Sequence, residues 1–105
     1  MAVQCYIPKL AAVALPIDGF QTRARVAGIA DASLEVSFYR THGRCRITCC
    51  RAVADYLAGE LRTAIARTTK AETRSACETG LAALLAAIDD EYKPGPGLTR
   101  GGLGG

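Results

Sequence analysis

Residues 33–50 read SLEVSFYRTHGRCRITCC, and how this stretch folds decides the architecture. Leu34, Val36 and Phe38 alternate with Glu35, Ser37 and Tyr39, the period-two pattern of a strand with one apolar and one polar side, running from Ser33 to Thr41. His42-Gly43 then reads as a two-residue turn, after which the alternation resumes through Cys45, Ile47 and Cys49. If Thr41 pairs with Arg44, Tyr39 falls opposite Arg46 and Ser37 opposite Thr48 on one face, with Phe38 opposite Ile47 and Val36 opposite Cys49 on the other. Both faces come out chemically uniform, which identifies a hairpin.

Towards the N-terminus, a three-residue loop Ile29-Ala30-Asp31 sets residues 20–26 against this strand, with Val26 beside Leu34 and Arg25 beside Glu35. In that segment Phe20, Thr22, Ala24 and Val26 alternate with Gln21, Arg23 and Arg25, so a strand with a basic face is expected. Residues 10–15 fit either a helix started by Pro8 or a strand. The Pro16-Ile17-Asp18-Gly19 turn signal favours the strand. Residues 2–7 place Val3, Cys5 and Ile7 on one side of a further strand, closed by Pro8. The expectation is an antiparallel β-meander of four to five strands, dry on one face and wet on the other.

Towards the C-terminus the period changes. Val53, Leu57, Leu61, Ala64 and Ile65 lie on one helical stripe, which Cys49 and Cys50 extend backward. Thr69-Lys70-Ala71-Glu72 has the form of a capping box opening a second helix, whose stripe is Cys77, Leu81, Leu84, Leu85, Ile88 and Tyr92 and which Pro94 stops. An antiparallel two-helix hairpin packed on one sheet face completes an α+β fold. Residues 1–93 form the single domain. Residues 94–105 hold six Gly and two Pro without periodicity and read as a flexible tail.

The chain of 105 residues is one domain's worth. Its longest apolar runs, residues 10–17 and 81–88, fall far short of the roughly 20 residues a transmembrane helix needs. No basic start precedes the N-terminal apolar stretch and Pro8-Lys9 interrupts it, so a cytoplasmic protein without a membrane partner is expected. Five cysteines, Cys5, Cys45, Cys49, Cys50 and Cys77, are an odd number that suits reduced, mostly buried thiols better than a disulfide framework.

The net charge of +3 does not select a partner, but its distribution is uneven. Residues 20–50 carry five Arg against Asp31 and Glu35, whereas residues 70–93 carry three bases against five acids. On the expected meander Arg23, Arg25, Arg44 and Arg46 share the wet face with Tyr39, and His42 stands at its rim. Arginine forks suit carboxylate or phosphate, and Tyr among Arg suits a protein hot spot as well as a base. His42, Cys45, Cys49 and Cys50 lack the paired spacing of a zinc site, and neither a phosphate loop nor an orienting acid for a Cys–His pair is present. Neither a metal nor a cofactor is expected.

The residues thus point to a small non-enzymatic binding or regulatory protein of inhibitor or adaptor type, such as phages and mobile elements carry, docking onto a protein with an acidic surface. Nucleic acid, held by the same Arg/Tyr face through phosphate contacts, is the alternative partner. Gly59 and Gly80 sit mid-helix among Ala58, Ala76, Ala82, Ala83, Ala86 and Ala87, a small-residue strip that offers a homodimer face through the helices.

Overall fold

The computed structural model describes residues 2–39 and 43–92. It is α+β, with three strands and four α-helices in the order β1 (Val3–Pro8), α1 (Lys9–Ala14), α2 (Phe20–Val26), β2 (Leu34–Tyr39), β3 (Arg44–Cys49), α3 (Arg51–Arg67) and α4 (Ala71–Tyr92); a 3₁₀ turn, Ile17–Gly19, precedes α2. The sheet order is β1-β3-β2, and both outer strands run antiparallel to the central β3. This replaces the expected meander of four to five strands. Residues 20–26, expected as a strand, are helical. Of the two alternatives for residues 10–15 the helix, favoured less than the strand, is the one formed, ending at Ala14, so four helices and not a pair alone accompany the sheet.

Residues 9–14 are rich in Ala, and Pro8 closes β1 while standing at the N-cap of α1. The amide of Lys9, an otherwise orphaned first-turn donor, gives its hydrogen bond to the Gly43 carbonyl at 2.9 Å and so ties α1 to the end of the hairpin. In α2 the buried residues are Phe20 and Ala24, four apart, while Val26, expected inside, is 85% exposed. Gly28 ends α2 at φ +99°, a left-handed conformation that favours glycine. Its amide bonds the Arg25 carbonyl and the Ile29 amide bonds the Ala24 carbonyl, the paired bonds of a Schellman stop.

The hairpin of β2 and β3 forms with both faces as expected and a register two residues away from the expected one. Tyr39 is opposite Arg44, Ser37 opposite Arg46, Phe38 opposite Cys45 and Val36 opposite Ile47. The expected His42-Gly43 turn lies partly outside the described residues. A shift of two preserves which side each residue faces, because the side-chain period is two.

Val3, Cys5, Ile7, Leu34, Cys45, Ile47 and Cys49 line the inner face, buried with Leu57 and Leu61 of α3 and Cys77, Leu84 and Ile88 of α4. Gly80 explains how closely α4 lies over β1: a Cβ built there would meet the Ile7 Cβ at 3.3 Å and the Pro8 ring at 3.5 Å. In the turn before α4 the Thr68 hydroxyl accepts from the Lys70 amide and the Arg74 guanidinium donates to the Thr68 carbonyl; α4 begins at Ala71, two residues after the Thr69 expected to cap it. Among the described residues no helix is long and apolar enough to cross a membrane. The expected flexible tail, residues 94–105, lies outside the described residues.

Candidate functional site

The outer face of the sheet carries Gln4 and Tyr6 from β1, Arg44, Arg46 and Thr48 from β3, and Glu35 and Ser37 from β2, with Tyr39 at the register position opposite Arg44. All of these whose exposure is described are exposed or half-buried, whereas the alternate residues of β1 and β3 are buried. Both arginines are on the central strand, Arg46 between Tyr6 and Ser37 and Arg44 at the end of the strand between Pro8 and Tyr39. The Arg44 guanidinium carbon stands 4.5 Å from the centre of the Tyr6 ring, a cation–π stack worth about 0.5–1 kcal/mol at an exposed site. Arg46 makes no ion pair among the described residues.

Of the residues expected to form this face, Arg44 and Arg46 share it, and Tyr39 holds the register position opposite Arg44. Arg23 and Arg25 do not, because they lie on α2. His42 lies outside the described residues. Tyr6 was not among the expected site residues. Its place in the alternation of β1 marked it as outward, but only the pairing of β1 with β3 brings it beside Arg44.

Arg23 has a different task. Its Nε and Nη2 donate to the two Glu60 carboxylate oxygens at 2.8 Å each, and Nη2 and Nη1 also donate to the Leu15 and Pro16 carbonyls at 2.7 and 3.1 Å. The Glu60 side chain is only 18% exposed. Beside this clamp Phe20 stacks on Tyr56 with ring centres 5.6 Å apart. Together they fasten α2 to α3, and Arg23, Glu60 and Tyr56 line an open groove of about 790 Å³ with Leu15, Gly59 and Arg67. Burial and the neighbouring Glu60 carboxylate both push the Tyr56 phenol up. Because Arg23 and Glu60 satisfy one another, they do not present the groove with an unpaired acid or base.

The cysteines stand away from both surfaces. All five are free thiols, and Cys5, Cys45, Cys49 and Cys77 are buried. Burial, reinforced by neighbouring thiols, pushes Cys5 up to about 11 and Cys49 up to about 12; burial also raises Cys45 and Cys77. A nucleophilic cysteine needs the opposite displacement. Cys50 is half-buried, with its Sγ donating to the Asp31 carbonyl at 3.6 Å. Among the described residues no three His, Cys, Asp or Glu side chains are grouped to hold a metal ion.

In the small-residue strip, Gly80 and Ala58 are buried, Ala76 and Ala87 pack against the core and Ala83 is half-buried, leaving Gly59, Ala82 and Ala86 exposed. Comparison with protein-family models, curated proteins and solved structures finds no match to this chain.

Proposed function

We propose that the protein is a non-enzymatic binding module of inhibitor or adaptor type that docks the outer face of its sheet onto an acidic surface of a partner protein. Arg44 and Arg46 are the anchors, flanked by Tyr6 and by the position of Tyr39. The observation that carries this reading is the stack of Arg44 on Tyr6 on the exposed outer side of the sheet. A guanidinium held over a ring has already lost much of its side-chain freedom, so its donors engage a carboxylate with a smaller entropic penalty than a free arginine would pay.

A nucleic-acid partner is the weaker reading. With Arg23 clamped to Glu60 and Arg25 on α2, the described face offers two cations for phosphate instead of four, and Glu35 stands on the same face. Two contacts to a single strand give a log–log salt slope of only about −1.4.

The test is the double variant Arg44→Glu/Arg46→Glu. Partners are captured from an extract of the source cells with and without nuclease, identified by mass spectrometry and reconstituted with purified components. A loss of affinity of at least about 30-fold, as expected of hot-spot residues, with an unchanged melting temperature supports the docking face. Undiminished binding by the variant refutes it. Capture that disappears with nuclease, together with salt-dependent binding of a labelled single-stranded oligonucleotide, moves the reading to nucleic acid.

A further inference from the structure

We infer that β2 is a dimerisation strand, pairing antiparallel with β2 of a second copy about a two-fold axis at Ser37. β2 is bonded to β3 on one side and, among the described residues, pairs with no strand on the other. The two sheet edges differ. β1 ends in Pro8, which has no amide to offer, whereas β2 holds no Pro and no Lys, the residues that commonly blunt an open edge. The inner side of β2 is also incompletely covered: Phe38 is 51% exposed and Val36 is half-buried, although their neighbours on β3, Cys45 and Ile47, are fully buried.

Three observations select a second copy as the occupant and Ser37 as the centre. The Gln21 amide of α2 donates to the Leu34 carbonyl at 3.4 Å, so among the described residues the open stretch of β2 is residues 35–39, whose midpoint is Ser37. A two-fold axis there sets Val36 against Phe38 of the other copy, twice, burying on one another the two inner-face side chains that each copy leaves uncovered. It also sets Glu35, the one charged residue of β2, opposite Tyr39 of the other copy and not opposite a second carboxylate. The two Glu35 carboxylates stand about 14 Å apart along the strands, beyond the ~8 Å screening length of physiological salt. A centre on Glu35 would bring them together, and a centre on Val36 would need the end of β2 that Gln21 occupies.

The resulting sheet is continuous, β1-β3-β2-β2-β3-β1, with both Arg44/Arg46 pairs on one side. The dimer does not depend on what that side binds.

Light scattering behind size exclusion tests the full-length chain. The expected mass at about 100 µM is twice the 11.0 kDa of one chain. Phe38→Lys should reduce it to that of one chain with an unchanged circular dichroism spectrum, since Phe38 is already half in water. Under mild oxidation Ser37→Cys should give a covalent dimer on a denaturing gel well above the background of the native thiols, and Glu35→Cys should not. A single-chain mass at every concentration overturns the inference, as does a Phe38→Lys dimer of undiminished affinity. So does cross-linking through Ala82→Cys on α4 without cross-linking through Ser37→Cys.

Discussion

Replacing Arg23 with Met keeps most of the side-chain stem and deletes the guanidinium that joins α2, the α1 end and α3. Four hydrogen bonds are lost, two of them a parallel pair to Glu60, whose carboxylate is then left only 18% exposed without its counter-charge. Bonds to charged groups contribute about 1.5–3 kcal/mol. The Arg23 side chain is 34% exposed, so solvent screening places the expected cost toward the lower end, about 2 kcal/mol. For a domain of this size that corresponds to a fall in melting temperature of about 8–16 °C. Urea unfolding followed by circular dichroism should show the midpoint reduced at constant slope. A double-mutant cycle with Glu60→Gln should return a coupling of about 1–2 kcal/mol. Arg25→Met, on the exposed side of the same helix, should stay within about 0.5 kcal/mol of the parent. If Arg23→Met proved as mild as Arg25→Met, with no coupling to Glu60, the clamp would be refuted and Arg23 would be a solvated arginine free to bind a partner.

Two further outcomes follow from the packing. Gly59→Ala should raise stability by about 0.5–1 kcal/mol in chemical denaturation, because its Cβ meets nothing within 4 Å and Ala is the better helix former; Gly80→Ala should give no such gain, because the fully buried Ile7 cannot retreat from 3.3 Å. A matching gain at both sites would contradict the close seating of α4 on β1. The buried thiols make stability fall at alkaline pH: with Cys5 raised from 9.0 to about 11 and Cys49 to about 12, the folded state holds protons that the unfolded chain releases. Their contribution is intact below about pH 9 and declines by about 1.4 kcal/mol per pH unit per thiol up to the folded-state values. Urea midpoints between pH 8 and 11 should therefore fall more steeply for the parent than for Cys5→Val or Cys49→Val, and equal slopes would contradict the assignment.

The outer face of the sheet was partly legible. Arg44 and Arg46 alternate with Cys45 and Ile47, and one polar face follows from that alternation whatever the register. Tyr6 was legible as an outward residue and not as a site residue, because its partner is 38 positions away and their contact exists only once β1 lies beside β3. The loss of Arg23 and Arg25 from the face has a specific origin. Phe20 and Ala24 are separated by four residues, which places them on one side of a strand and also on one side of a helix, so over seven residues the apolar pattern fits both periods. The available helix signals were Gly28, which stops α2, and the Ala-rich composition of residues 9–14.

The sequence by itself determined the sidedness of the three strands and most of the apolar stripes of α3 and α4, Leu85 being 39% exposed, because these are properties of residues a few positions apart. The register of the hairpin, the order β1-β3-β2, the helical state of residues 9–14 and 20–26 and the pairing of Arg23 with Glu60 were decided only in three dimensions. Short ambiguous segments gain their conformation from what they bury against. For α2 that is the contact of Phe20 with Tyr56 and the clamp on Glu60, both on a helix more than thirty residues further along the chain.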